Sequence, residues 1–406
     1  MSSPPRHPPG PVFAARTDWD LRTNRWATAA AEARGTADGF DLTITNPTAA
    51  GLAYPRERIL AALAAPAALA YEPSPRGALA AREAVAAYYG ARGADVGPER
   101  LLLTASTSEA YSLLFRLLAN PGDRVHVPCP SYPLLDHLAA INDLEMAPYP
   151  LWHAGGWHVD AAELERDINL RSRALVVIHP NNPTGSYLTA EDWAALLAVA
   201  ARHRMAIIAD EVFFDYVWAP ALRPLDLAIA AAPEGPPVFL LNGLSKISAL
   251  PQMKLGWLAA LGGEQAWRPA ALARLEVIAD AYLSVSAPVQ AAAAELLALR
   301  GELQPQILAR LRANVAVLDS RLARQTWVSR LSAAGGWMAV LRLPAWRSGD
   351  AWAEALLRRR VLAHPGEFYG FSGAPCLVVS LLTPPAAFAA GLERLLECVA
   401  QAVPPG

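Results

Sequence analysis

The sequence predicts an α/β fold: a mostly parallel sheet covered by helices on both faces, followed by a smaller α+β domain. Two observations carry this. Between about residues 100 and 261, short continuous apolar runs alternate with helix-forming stretches, as parallel strands buried on both faces require. The chain is also 406 residues long, more than one core usually holds at about 150 residues per domain.

The elements follow in order. Residues 1–18 hold five prolines and few apolar groups, so they read as a mobile tail. Phe40–Tyr54 starts as a strand and breaks at Asn46-Pro47. Pro55–Leu69 and Leu79–Gly90 read as helices on either side of the loop Tyr71–Gly77, YEPSPRG. Strands are expected at Leu101–Thr104, Arg124–Val127, Ala174–His179, Ala206–Ala209, Val238–Leu241 and Trp257–Leu261. Helices open at ASTSEAYSLLFRLLA and lie at Ser131–Ile141 and Ala190–His203. Beyond residue 285 come a long helix-prone stretch, Ala287–Leu322, and two strand-like segments, Trp337–Leu343 and Leu377–Leu382. The domains expected are therefore 19–55 joining the smaller one, 56–290 as the larger and 291–406 as the smaller.

Composition narrows the function. With 35 basic against 37 acidic residues and a net charge of −2, the chain lacks the basic footprint a nucleic-acid binder needs. Mean hydropathy is +0.20, but alanine drives it. The richest apolar run, Ile59–Tyr71, has Pro66 inside it and falls short of the roughly 20 residues that span a bilayer. The start MSSPPRHPPGPVF has no apolar core of a signal peptide. Three widely spaced cysteines make neither a disulfide framework nor a zinc site. A cytoplasmic small-molecule protein is the expectation, with no membrane, nucleic-acid or metal partner.

In parallel sheets, chemistry gathers in loops beyond the carboxyl ends of the strands. Four such loops stand out. HPNNPTG (His179–Gly185) is a rigid turn that aims amide groups off the sheet edge. Asp210 and Glu211 leave the strand AIIA, where a carboxylate either caps a helix or holds a protonated ring nitrogen. NGLSK places Lys246 just beyond a buried strand, with Lys254 following in QMKLGW; burial lowers an amine's pKa and frees its lone pair for nucleophilic attack. TASTSEA (Thr104–Ala110) sets small hydroxyl residues at a helix start, either as a simple cap or as a cradle for a phosphate. Together they supply a phosphate seat, an acid for a ring nitrogen, an amide for a ring oxygen and a lysine for a Schiff base, the requirements of a pyridoxal phosphate site.

PNNPTG, then ADEVFFDY, then LSK, in that order and spacing, resemble the class I/II aminotransferases of pyridoxal-phosphate fold type I, over about Tyr71 to Gly373. The resemblance implies a large domain with a mostly parallel seven-stranded sheet between helices, plus a small α+β domain. It implies that Lys246 forms the Schiff base and moves the substrate proton, and that Asp210 pairs with the ring nitrogen. Asn182 would bond the ring oxygen and Tyr132 would stack on the ring. Ser106, Thr107, Ser108, Ser245 and Lys254 would hold the phosphate. Tyr71 would reach the neighbouring subunit's phosphate, implying a homodimer with shared active sites. The activity implied moves an amino group from an amino acid or related amine to a keto acid.

Four positions depart from the family pattern. Phe213 replaces a tyrosine that donates to the ring oxygen, which predicts a Schiff base that keeps its proton to higher pH. Gly243 stands where a phosphate-binding serine is common, and Lys254 where an arginine is common, exchanging a bidentate fork for a point charge. Val378 stands where an arginine clamps the substrate carboxylate. Arg76 is the surrogate expected for that clamp, its alternative being a surface arginine in a turn. Asn46, Thr48 and Trp337 are further candidates to line the substrate space, with turn formation or packing as their other roles. His179 and His364 read as packed strand-end residues near the site. The missing arginine and tyrosine keep other pyridoxal phosphate chemistry open: a β-lyase, racemase, decarboxylase or oxidase. An aminotransferase-like sensor is the remote alternative, because the resembling regulators carry a basic winged-helix module ahead of this fold.

Overall fold

The computed structural model describes residues 13–17, 19, 28, 38–264 and 266–402. The greater part of the proline-rich segment 1–18 and of 19–37 lies outside the described residues. β1 (Phe40–Asp41) pairs in parallel with Val361–Leu362, so the N-terminal segment is tied to the C-terminal part of the chain. Ser380 N–H donates to the Leu42 carbonyl at 2.6 Å, extending that tie.

The next eight strands form one sheet. They are β2 (Leu101–Thr104), β3 (Arg124–Cys129), β4 (Glu145–His153), β5 (Trp157–Val159), β6 (Ser172–Ile178), β7 (Ala206–Asp210), β8 (Val238–Gly243) and β9 (Gly256–Leu261). Their order across the sheet is β2-β9-β8-β7-β6-β3-β4-β5. Neighbours from β8 through β7, β6 and β3 to β4 are parallel; β9 runs antiparallel to both β8 and β2, and β5 antiparallel to β4.

The sheet therefore has eight strands rather than seven. The additional short strand, β5, is the return arm of a hairpin on the end of β4. β4 itself is masked in the sequence by Pro148 and Pro150, which argue against a strand. They are tolerated because, at those residues, β4 pairs only with β3 and a proline needs no donor on an open edge.

Both sheet faces are buried, and the strands alternate between them. Leu175, Val177, Ile207, Leu240 and Ala259 belong to one core cluster; Val176, Ile178, Ile208, Phe239 and Leu258 belong to the other. That period of two, apolar on both sides, is why these strands read as continuous apolar runs. Helices differ from expectation where prolines and caps intervene. Pro55–Leu69 is a helix Arg56–Leu63 and a 3-10 turn Pro66–Leu69, since Pro66 has no N–H to continue the ladder. Ala287–Leu322 is three successive helices, Ala287–Ala291, Ala293–Ala298 and Arg300–Leu322, with Ala292 and Leu299 between them.

A second sheet contains β10 (Ser329–Arg330), β11 (Met338–Arg342), β13 (His364–Pro365) and β14 (Cys376–Ser380), all antiparallel in the order β10-β11-β14-β13. β12 (Val361–Leu362) is the partner of β1. The loop before β11 is fastened to the first sheet's edge: Ala334 and Gly335 N–H groups both donate to the Gly185 carbonyl, at 3.0 and 3.1 Å, and Gly336 N–H donates to the Tyr216 carbonyl at 3.0 Å.

Candidate active site

Because β2, β3, β6, β7 and β8 run the same way, their carboxyl ends share one edge. The register puts Ile178 beside Asp210, Asp210 beside Leu241 and Gly243 beside Gly256. β9, running the other way, begins at that edge, so Lys254 arrives there as well. The topology thus gathers the four chemistry-bearing loops, as the sequence argument required.

Lys246 lies in the short helix Leu244–Ile247 straight after β8. Its backbone is fastened on several sides. The Tyr216 hydroxyl donates to the Lys246 carbonyl, Gln304 donates to the Ile247 carbonyl at 2.9 Å, and Leu244 N–H to the Leu255 carbonyl at 2.9 Å. The amine sits 4.8 Å from the Trp337 ring centroid and 5.4 Å from that of Phe213. Burial among these rings pulls the amine down to about 8, with Asp210 opposing. A neutral amine is thereby accessible near physiological pH.

Asp210 ends β7 and is buried. The Val212 N–H donates to Oδ1 at 3.0 Å and the Tyr111 hydroxyl donates to Oδ2 at 3.2 Å. Burial pushes its carboxyl up to about 6, against the pull of those two donors and Lys246. Tyr111 escaped sequence reasoning. Its signal was its place four residues after Thr107, on the buried face of the helix Thr107–Leu118.

Glu211, next along, is fully buried and ion-paired with Arg92 at 3.0 Å; Arg92 also binds Asp226 at 2.8 Å and lies 3.8 Å over the Phe214 ring. Burial pushes Glu211 up to about 7, Arg92 opposing. Arg92, in a loop with no motif, also escaped sequence reasoning.

In the His179–Gly185 loop, Asn181 donates to the Pro130 carbonyl at 3.0 Å, while Asn182 has a buried Oδ1 with no partner. His179 is buried, its Nδ1 accepting from Leu188 N–H at 3.1 Å and its Nε2 meeting the Leu225 carbonyl at 2.9 Å. Burial holds it down near 4, so it is a packed strand-end residue. His364 meets the Tyr369 hydroxyl at 2.9 Å.

Ser106 caps the helix Thr107–Leu118, accepting from Glu109 N–H at 3.1 Å. Thr107 and Ser108, first in that helix, have no preceding carbonyl to receive their N–H groups. Gly256 underlies the same turn: a Cβ there would lie 3.1 Å from the Ser106 carbonyl carbon and 3.2 Å from Thr107 N. A Cβ on Gly243 would lie 2.9 Å from both Gly256 Cα and the Leu255 carbonyl. A serine at 243 has no room, which explains that departure from the pattern. Ser245 is partly exposed and Lys254 exposed, with a left-handed backbone (φ 52).

The remaining candidates sit farther out. Tyr132 is 46% and Tyr71 76% exposed. Arg76 is ion-paired with Glu276 at 3.3 Å and donates to the Glu99 carbonyl, so within the chain it ties its loop to the helix Trp267–Asp280. Asn46 and Thr48 are exposed, Asn46 accepting from both Thr48 N–H and hydroxyl in a local cap. Val378 is buried with Met338, Val340 and Tyr369, so apolar packing closes the place of the family's arginine.

A half-buried lysine and a buried aspartate beyond the carboxyl ends of a parallel sheet mark a particular class of α/β protein. Residues 39–395 match Aminotransferase class I and II, and the chain belongs to that family. Human tyrosine aminotransferase is 34% identical over 189 residues, 46% of this chain and 40% of that protein. The glutamate-pyruvate aminotransferase of Escherichia coli (strain K12) is 29% identical over 253 residues, 61% of each. The match thus spans less than two thirds of the length of these relatives. The alanine aminotransferase structure from Pyrococcus furiosus shares the fold, with a TM-score of 0.83 at 23% identity, over 93% of this chain and 96% of that one. Members of the family depend on pyridoxal phosphate.

Proposed function

We propose that the protein is a pyridoxal-phosphate-dependent aminotransferase that moves an amino group from an amino acid or related amine to a keto acid. The observation that carries this is the Lys246 amine, drawn toward neutrality by burial with Asp210 opposing. The residues present suit the cofactor. Asn182 brings an amide whose Nδ2 is the donor a ring oxygen needs, and the turn Ser106–Ser108 opens a helix above a glycine that leaves it room.

Lys246 is the residue to hold the aldehyde carbon covalently. Asp210, kept in place by Val212 and Tyr111, holds a proton on the ring nitrogen, and Asn182 bonds the ring oxygen. Ser106, Thr107, Ser108, Ser245 and Lys254 take the phosphate, and Tyr132 covers the ring. When bound, the cofactor supplies an electron sink for the bond broken at the substrate's Cα. Lys246 Nζ would then be the base that takes the Cα proton and returns it.

The protein acts as a cytoplasmic homodimer with shared sites, Tyr71 reaching the neighbour's phosphate. Leu69 (92% exposed), Tyr71, Leu79, Val277 and Leu283 are large apolar groups left open on segments that touch one another, which favours a partner surface there. Residues 56–290 serve as the cofactor domain, and 291–406, joined by 19–55, as the smaller one.

Incubation of the yellow holo-protein with a panel of amino donors tests the reading: bleaching restored by a keto acid is expected. The buried Val378 favours one rival, another reaction at Cα or Cβ such as β-elimination. Release of ammonia, sulfide or peroxide without that restoration replaces the first reading with it.

A further inference from the structure

Asn242 joins the loop that carries Asp210 to the turn that carries Lys246. It opens NGLSK, lies one residue inside the end of β8 and is fully buried. Its Nδ2 donates to the Glu211 carbonyl at 3.0 Å, and its Oδ1 accepts from Gly243 N–H at 2.8 Å. Those partners fix which way the amide faces, because a flipped group would set donor against donor and acceptor against acceptor.

The bond to Glu211 matters because of the peptide unit it holds. The Glu211 carbonyl and the Val212 N–H belong to one trans peptide, so they point in opposite directions. The carbonyl is held by Asn242 Nδ2 at 3.0 Å and by Phe214 N–H at 2.9 Å. At the other end, the N–H donates to Asp210 Oδ1 at 3.0 Å. The contacts therefore run from the Asn242 side chain, through one peptide, to the carboxylate. By the alternation along the strands, Asn242 shares a sheet face with Leu240, and Asp210 the opposite face with Ile208. Asn242 thus holds the peptide from the face opposite to the carboxylate.

We propose that Asn242 is a positioning residue for Asp210: its amide holds the Glu211–Val212 peptide with the Val212 N–H aimed at the Asp210 carboxylate. This rests on the proposal that Asp210 pairs with the ring nitrogen of pyridoxal phosphate, which needs an ionised and oriented carboxylate. A bond to the carbonyl also polarises the peptide and strengthens the N–H at its other end. The titratable groups that act on Asp210 are Tyr111, from the helix Thr107–Leu118, and Lys246, from the turn after β8. Tyr111 holds Oδ2, so the Oδ1 side depends on Val212. Loss of the Asn242 donor weakens that N–H and leaves the carboxylate charge less stabilised. The Asp210 carboxyl then rises further above its ordinary value.

The test is a pH titration of isotope-labelled, full-length protein without cofactor, read by nuclear magnetic resonance at the Val212 amide. In the wild type its midpoint is expected at about 6, with Asp210. Asn242→Leu keeps the size and neutrality of the side chain and removes the donor. The midpoint is expected to move up by about half a pH unit, less than loss of a direct donor gives. An unmoved midpoint, whatever the fall in stability to urea, leaves Asn242 a packing role and overturns the proposal. Should that variant not fold, the wild type decides through the side-chain amide resonances of Asn242. A shift with the same midpoint as Val212 supports the link, and no shift through that range overturns it. Uptake of pyridoxal phosphate, followed as yellow absorbance, separates the two layers. A chain that takes up none yet shows the coupled midpoints sinks the cofactor reading and keeps the link. Uptake with an unmoved Val212 midpoint in Asn242→Leu sinks only the positioning role.

Discussion

Lys246 and Asp210 are chemically unusual because Asp210 is buried and Lys246 half-buried, each desolvated within reach of the other's charge. An ordinary lysine amine is neutral only above about 10.4, while burial pulls this one to about 8. Addition of pyridoxal phosphate to cofactor-free protein, followed as the rate of yellow absorbance against pH, is therefore expected to rise with a midpoint near 8; a midpoint above 10 contradicts the environment described. Asp210 is shifted the other way, to about 6, so it loses its charge as pH falls through 6. The acid limb of cofactor uptake by the cofactor-free protein should follow it. Removing the Tyr111 donor with Tyr111→Phe withdraws stabilisation from the carboxylate and should move that limb upward by up to about one pH unit. An acid limb unchanged in Tyr111→Phe leaves the tyrosine a packing role only. The three motif residues Lys246, Asp210 and Asn182 were legible because each lies within five residues of the end of an apolar run that reads as a strand. Tyr111 and Arg92 were not, since their meaning lies in contacts with Asp210 and Glu211 that no local pattern encodes.

At the level of elements, the parallel strands β6, β7 and β8 were plain from continuous apolar runs, and the loops after them followed. β4 was hidden by its two prolines, and the short β5 by its length. The same limits apply to the buried ion pair. Arg92 comes from the end of the helix Leu79–Ala91 and joins it to Glu211 after β7 and Asp226 before Leu227–Ala230. Arg92→Met leaves Glu211 buried without its cation, and loss of one partner of such a pair is expected to destabilise by about 3–5 kcal/mol. Urea unfolding of the two proteins measures it. A loss under about 1 kcal/mol, the range of exposed pairs, means that Glu211 simply takes up a proton, which its position near 7 makes accessible.

For the whole molecule, the question is what covers the open apolar groups. Leu69→Glu puts a charge at the most exposed of the five apolar groups named above. On the homodimer proposed above, sedimentation is expected to change from dimer to monomer at micromolar protein, with weaker retention of cofactor if Tyr71 reaches the neighbour's phosphate. A variant that stays dimeric moves the partner surface elsewhere. Near-zero net charge is consistent with an association through apolar contact rather than steering by long-range fields.

The reversal of β9 has one more consequence. Lys246 and Lys254 lie on the single excursion between β8 and β9, and the turn Ser106–Thr107 rests on Gly256 at its end. A ligand bonded to both lysines and to that turn closes a short loop and pins the antiparallel pair at its open end. Its departure should therefore be felt first as faster amide hydrogen exchange in residues 243–256, while β3 and β6, whose ends carry no covalent anchor, keep their protection.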